Sequence, residues 1–391
     1  MVGQMSSTMV PAEFFARCDA LVPVLAAHAD EGEAIRRLPE AVFEATREAD
    51  LFPAVVPTSL GGHGLGLDEL AQGTRILAHG CPASAWTISF FMQHAWLLSR
   101  FGIDAREEFF GSGAFPFAAA PLAPGGRVTE VEGGYLVSGT WEWATCVEQS
   151  EWIMVHGFAP GAGLETQFFV IPVAETLVED VWFTSGMRAT GSNTVHVSEC
   201  FVPERRTLPA LDLIDNTRSV AGDGLANIPL VSVLALVAAA PALGAAEAAV
   251  DLYRERLQER VLAYTLGEKA AEQPAAQIRL ATAMSDLASA RAGWAAAIAA
   301  IVEASTHGTP DQQRRAEARL AAAAAVRASR QIINTVCEGA GASVYKTGHP
   351  LQRLQRDVET LKGHVIFDWD RTAELAGRVT LGLGLRPTDM A

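Results

Sequence analysis

Basic residues are scarce in this chain: 30 Lys and Arg stand against 45 Asp and Glu, a formal net charge of −15 at pH 7. A surface of that sign repels phosphate backbones and anionic lipid, which argues against nucleic acid and membrane as partners. Cysteine is sparse too. Cys18, Cys81, Cys146, Cys200 and Cys337 are scattered and odd in number. No pair has zinc-finger or redox spacing, so they read as reduced thiols of a cytoplasmic protein. The histidines show no metal-ligand spacing, and no metal is assigned. Residues 1–10 lack a basic n-region and do not read as a signal peptide. Internal repeats and low-complexity linkers are absent. One uncharged run, residues 225–246, is alanine-rich, holds Pro229 and Pro241, and has no basic flanks. It reads as a buried helix rather than a membrane span.

What is present is enough apolar residue for a large core: 49% of 391 residues. The first third has helical periodicity. Phe14-Phe15, Ala20-Leu21 and Val24-Leu25 recur at three- to four-residue spacing, and Val42, Phe43, Ala45, Ala49 and Leu51 form a second stripe. Further helices are expected over 67–78 and 83–101. Gly61 to Gly66 superficially resembles a phosphate cradle. It lacks a preceding buried strand and an acidic residue beyond the helix, so it is expected to be a plain loop. From about Phe115 the pattern alternates. Residues 126–139 read as a hairpin turning at Gly133-Gly134, and 152–156, 167–171 and 194–198 as further strands. From about Leu225 the chain is helical again, with a loop over 267–274 and an alanine-rich stretch over 315–336 that predicts close helix packing. The expected organisation is α+β in several parts: an N-terminal helical domain (1–114), a central β-barrel or sandwich domain (115–224) and a C-terminal four-helix bundle (225–391).

Several motifs occur in that order. Leu51-Phe-Pro53 precedes Pro57 and Gly61-Gly-His-Gly-Leu. Gly186-Met-Arg188-Ala-Thr190-Gly-Ser192 precedes Val197-Ser-Glu-Cys-Phe-Val-Pro203. Gly339-Ala-Gly341 is followed by Pro350-Leu-Gln-Arg353-Leu-Gln-Arg356-Asp357 and His364. Together these resemble the acyl-CoA dehydrogenase superfamily over almost the whole chain. Dehydrogenases of that fold remove a substrate proton with a glutamate. After Arg356-Asp357 the chain has Glu359, too close to the aspartate for that position, and the run from Leu225 to Ala246 offers no carboxylate. Removing an α-proton from a thioester needs a positioned base, so dehydrogenation is disfavoured. A second branch fits better, because Gly139-Thr-Trp141-Glu-Trp143-Ala144-Thr145-Cys146 resembles the two-component flavin-dependent monooxygenases of this fold.

That resemblance implies reduced flavin (FADH2 or FMNH2) from a separate NAD(P)H:flavin reductase, with O2 activated as a flavin C4a-hydroperoxide. The implied reaction is hydroxylation of a small phenolic or indolic molecule. The alternatives are N-oxygenation of an amino sugar or amine, an acyl-CoA dehydrogenase with a displaced base, or a non-enzymatic scaffold. His364 and His94 are implied as catalytic residues, since imidazole can share a proton near neutral pH. Thr145 is implied to bond flavin N5 or the peroxide. Trp143, Ala144, Thr145, Trp182, Arg188, Thr190, Ser192, Gly339, Gly341 and Arg356 are the implied cofactor-binding set. Arg353, Arg356 and Asp357 have a second reading as an ion pair holding the glycine turn. Phe90, Phe91, Trp96, Phe367 and Trp369 are suited to wall an apolar pocket. The glycine turn serves a neighbouring subunit's flavin in this fold, which implies a homotetramer.

Overall fold

The computed structural model describes residues 8–158, 165–216, 218, 220–263, 265–386 and 389; most of the expected signal-peptide-free N-terminus, residues 1–7, lies outside them. The chain opens with α1 (Pro11–Ala27), α2 (Ala29–Ile35), α3 (Glu40–Glu48), α4 (Leu67–Ala78), α5 (Pro82–Leu98) and α6 (Ile103–Phe110). Strands follow: β1 (Ala118–Ala119), β2 (Arg127–Val131), β3 (Gly134–Ala144), β4 (Trp152–Phe158), β5 (Thr166–Pro172), β6 (Leu177–Glu179), β7 (Asn193–Pro203) and β8 (Thr207–Pro209). After α7 (Ala210–Ile214) come the long helices α8 (Leu230–Glu259), α9 (Pro274–Ser305) and α10 (Gln312–Ala340), then α11 (Pro350–Leu361) and α12 (Trp369–Thr380).

The strands form two four-stranded sheets, ordered β1-β4-β5-β8 and β2-β3-β7-β6. Among the described strand pairs only β1 and β4 run parallel. Inward-facing Val137, Trp141, Ile153, Val155, Phe169, Ile171, Val195 and Val202 fill the space between the sheets, as alternation in a sandwich requires. The β2–β3 turn is Glu132-Gly133, one residue earlier than the sequence suggested, because Gly134 already pairs with Val131. Only Gly133 adopts a positive φ, +79°. Gly134 is a glycine for a different reason: a Cβ there would lie 2.2 Å from the Val202 carbonyl oxygen.

The two helical parts share one apolar core. Phe14, Leu70 and Leu77 belong to the same cluster as Leu236, Leu243 and Val336. Alanines 238–240, 242, 245 and 246 of α8 are buried, so the uncharged run is core helix. It begins at Leu230 rather than 225, after Pro229 at the N-cap, since proline supplies no donor and sets φ for the first turn. Gly244 lets α4 approach: a Cβ there would sit 2.3 Å from the Arg75 carbonyl oxygen. Residues 61–66 form a loop, as expected, and it is closely packed. A Cβ on Gly62 would meet the Val56 carbonyl oxygen at 2.1 Å, and His63 Nδ1 accepts from Met9 N at 3.3 Å.

The C-terminal end of α5 is tied down by a buried ion pair. Arg100 bonds Asp223 and Asn216, and Asp223 also accepts from Trp96 Nε1 at 3.2 Å. Removing one partner leaves the other as an uncompensated buried charge. Asp223→Ala is therefore expected to destabilise the fold by about 3–5 kcal/mol, measured as a lower midpoint in urea unfolding.

Candidate active site

Helix α5 enters the core with apolar residues all round, so its polar residues stand out. Trp86, Phe90 and His94 fall at i, i+4 and i+8 and share one face. Trp86 stacks on Phe90 at 4.5 Å between ring centroids, and Phe90 meets His94 edge-on at 5.3 Å. From the other side, His364 meets Trp86 edge-on at 5.7 Å and lies 6.0 Å from Phe367. One ladder of rings therefore joins the two histidines picked out in the sequence. His364 follows α11, whose docking beside α5 brings the ends of the chain together.

The two imidazoles differ in tautomer. His94 Nδ1 lies 2.7 Å from the Ala118 carbonyl oxygen. A carbonyl only accepts, so Nδ1 carries the proton and Nε2 keeps its lone pair. His364 Nδ1 instead accepts from Ile366 N at 3.3 Å, which places its proton on Nε2. Burial pushes the His94 pKa down to about 4, and only the bond to Ala118 opposes it. Desolvation by the atoms packed around it lowers His364 to about 4 as well, although the residue as a whole is exposed. Both rings are neutral at pH 7, one presenting an acceptor nitrogen and the other a donor.

Three hydroxyls meet beside the ladder. Ser192 Oγ lies 2.9 Å from both Thr145 Oγ1 and Thr190 Oγ1. Thr190 in turn donates to the Met187 carbonyl oxygen at 2.9 Å, which also accepts from Trp182 Nε1 at 3.0 Å. Trp182 meets Trp143 edge-on at 5.6 Å. Two links fasten this cluster to the α5 face: Thr87 Oγ1 to the Ala189 carbonyl oxygen at 3.4 Å, and the Ala118 carbonyl shared by His94 and, at 3.9 Å, Cys146 Sγ. The backbone here is strained. Trp143, Cys146 and Met187 all have positive φ, +65°, +60° and +54°, a region residues with a Cβ seldom occupy away from functional sites. Trp143 is also 63% exposed, so its ring is presented rather than packed.

The sequence-predicted residues divide. His94, His364, Trp143, Ala144, Thr145, Trp182, Thr190 and Ser192 gather around the ladder and the hydroxyls, with Arg188 on the same turn. Gly339 and Gly341 have other neighbours. A Cβ on Gly339 would meet Tyr253 and Arg279, one on Gly341 would meet Arg260, and the Ala340 carbonyl between them accepts from Arg256 and Arg260, each at 2.8 Å. The arginines of α11 do not pair with Asp357 or hold that glycine turn, as one reading had it. Arg353 bonds Asp30, Arg356 bonds Glu33 and the Ser185 carbonyl, and Asp357 accepts from Met187 N at 2.6 Å. The helix thus secures the 185–192 turn, because its charges face α2 and that turn. Of the expected wall residues only Phe90 and Phe367 join the ladder. Phe91 packs with Phe43, Phe52 and Phe117, Trp96 with Arg100, and Trp369 under Arg327. Trp86 was missed, although its spacing from Phe90 and His94 marks it.

Neither carboxylate relevant to dehydrogenation is free. Glu359 is held by Arg330 at 2.7 Å and Lys362 at 2.6 Å, and Glu247, the first acidic residue of α8, by Arg75 and Arg291. Arg188 is the contrast: its Nε is buried, and no hydrogen bond or ion pair reaches it among the described residues. A buried, unpartnered guanidinium Nε on the same turn as Thr190 and Ser192 suits an anionic, planar cofactor.

Fold and site define an enzyme of the acyl-CoA dehydrogenase fold in which Glu359 and Glu247, among the described residues, are both held in ion pairs. The family model described as acyl-CoA dehydrogenase, C-terminal domain, matches residues 236–369. Over 95% of its length the chain is 31% identical to the pigment production hydroxylase of Rhodococcus sp. (strain ATCC 21145), covering 97% of that protein. It is 30% identical to the flavin-dependent monooxygenase oxygenase subunit HsaA of Rhodococcus jostii (strain RHA1), over 95% of this chain and 99% of the other. The crystal structure of XiaF from Streptomyces sp., in complex with FADH2 and glycerol, superposes with a TM-score of 0.88 at 26% identity, covering 97% of each chain. The chain belongs to the two-component flavin-dependent monooxygenases, as an oxygenase component.

The histidines leave a signature in stability. Each binds a proton less readily folded than unfolded, from the ordinary 6.5 down to about 4. Their contribution is complete above pH 6.5 and is lost as pH falls toward 4. Thermal melts from pH 7 to 4 should show this decline, and it should be shallower in His94→Gln.

Proposed function

We propose that this protein hydroxylates a small phenolic or indolic molecule, taking reduced flavin from a separate NAD(P)H:flavin reductase. The observation that carries the reading is the pair of neutral histidines with opposite tautomers at either end of one aromatic ladder. The substrate class also draws support from relatives at lower identity. These include p-hydroxyphenylacetate 3-hydroxylase, oxygenase component, of Acinetobacter baumannii (27% over 94% of this chain) and indole-3-acetate monooxygenase of Pseudomonas putida (24% over 89%).

The residues divide the work as follows. Trp86 and Phe90 offer flat apolar faces to an aromatic ring. His94 Nε2, unprotonated, is suited to take a proton from a phenol or an indole nitrogen as ring carbon becomes nucleophilic. His364 Nε2–H is suited to donate a hydrogen bond to the oxygen that would stay with the flavin as the O–O bond breaks and the other oxygen goes to the ring. Thr145, Thr190, Ser192 and Arg188 would hold the flavin, with Trp143 and Trp182 at its edge. When bound, reduced flavin supplies the electrons that activate O2, as the C4a-hydroperoxide. The buried or half-buried Trp86, Phe90 and His94 would help keep water from that chemistry.

The homotetramer belongs to the same proposal. Helix α9 is apolar, yet its most hydrophobic 18-residue window is only 17% buried within one chain, and Ile278 and Met284 face outward. An apolar face of that length supports an interface with further copies. Light scattering in solution should return four times the chain mass, and Ile278→Glu with Met284→Glu should lower it.

The reaction is tested by mixing the protein anaerobically with reduced FAD or FMN and then adding O2 in a stopped flow. A transient absorbance distinct from oxidised flavin is expected, followed by hydroxylated product when a phenol is present. No transient with either flavin would defeat the proposal. His94→Ala and His364→Ala should each cut product formation by about 10²–10⁴-fold with reduced-flavin affinity retained.

A further inference from the structure

We propose that Asp357 is a positioning residue of the active site: through the Met187 N–H it sets the turn that carries Arg188, Thr190 and Ser192. The inference rests on the reading that this turn faces the flavin. Asp357 lies on α11 and is 4% exposed. Its Oδ1 accepts from Met187 N at 2.6 Å. The two arginines of its own helix are committed elsewhere, Arg353 to Asp30, and Arg356 to Glu33 and the Ser185 carbonyl. The main-chain N–H is thus the hydrogen-bond partner of a desolvated carboxylate.

What that bond holds is a backbone that would not rest there unaided. Met187 sits in the left-handed region, φ +54°, where a residue with a Cβ is strained. Gly186, just before it, is pressed against α11: a Cβ would lie 2.1 Å from the Arg356 carbonyl oxygen. The carbonyl of Met187 accepts from Trp182 Nε1 and Thr190 Oγ1, Thr190 bonds Ser192, and Ser192 bonds Thr145. Asp357 therefore anchors a chain of hydrogen bonds that ends on each hydroxyl of the site. A purely structural aspartate would have no such route to the flavin pocket.

The groups facing Asp357 are Arg353 and Arg356 on its own helix, Glu33 on α2, Cys81 ahead of α5 and the Met187 amide on the turn. Burial dominates and lifts its pKa from 3.8 to about 6, against the Met187 bond and the two arginines. Cys81 is itself pushed up, by burial first, and stays a neutral thiol. Below that pH a protonated Asp357 is a weaker acceptor for the Met187 N–H.

Two variants separate the possibilities. Asp357→Ala removes the acceptor; Asp357→Asn keeps an oxygen for the Met187 N–H and removes the charge. Anaerobic titration with reduced FAD should show about ten- to a hundredfold weaker binding in Asp357→Ala and recovery of most of it in Asp357→Asn. Wild-type affinity should fall relative to Asp357→Asn as pH drops through about 6, a ratio that cancels the flavin's own titration. Stability should move the other way. A carboxyl whose pKa is raised by folding takes stability away as pH rises through that window, so Asp357→Asn should melt at or above the wild type at pH 7. The inference is overturned if Asp357→Ala binds reduced FAD like the wild type, or if Asp357→Asn loses affinity and melting temperature together. Should Asp357→Ala not fold, the pH dependence of the Asp357→Asn ratio decides, and a flat ratio overturns it. A wild type that binds no reduced FAD removes both the site reading and this inference.

Discussion

The site depends on α2, a helix of seven residues, being clamped by charge to two other parts of the chain. Asp30 and Glu33 on its exposed side reach Arg353 and Arg356 of α11, and Arg36 at its C-cap makes two bonds to Asp180 while lying 4.0 Å over the Phe183 ring. Gly32 completes the contact, since a Cβ there would touch Ala189 at 3.0 Å. N-terminal helix, strand-domain turn and C-terminal helix are thereby locked at one point. Each pair in this set keeps at least one partner partly in contact with solvent, which limits what it contributes alone. Converging on one turn, they restrict its freedom more than any single contact could.

This convergence accounts for a design that looks indirect at first sight. The side chains suited to chemistry lie far apart along the chain, on α5, after β3, before β7 and after α11. A rigid arrangement of such parts requires that the connecting turns be fixed by neighbours, not by their own propensity. The left-handed residues Trp143, Cys146 and Met187 fit this logic: each is held by hydrogen bonding or packing from another element. The bulky Trp143 in that conformation presents its indole outward, where a cofactor rather than a core partner is expected to meet it.

Much of the fold was legible from local patterns. Alternation from about Phe115 marked the strands, and the alanine-rich stretch of α10 marked tight packing, because both periodicities are properties of neighbouring residues. His94 and His364 were also found, through motif position. Their alliance was not, since a ring ladder running through Trp86 and Phe90 depends on how α11 docks on α5. The roles of Arg353, Arg356 and Asp357 were misread for a similar reason: adjacent opposite charges suggest pairing with each other, while the tertiary fold offers Asp30, Glu33 and the Met187 amide. The glycine turn at 339–341 likewise gave no hint that Arg260 and Arg279 would fill the space its missing side chains leave.

Gly244 has one more bearing on how such an enzyme can diversify. With the Arg75 carbonyl 2.3 Å from where a Cβ would be, the backbones of α4 and α8 touch, and the separation of the helical scaffolding is fixed by main chain rather than by side-chain bulk. Lineages descending from this architecture cannot place a side chain at position 244 without parting α4 from α8. Change is left to the furnishings of α5 and the turns, one side chain at a time.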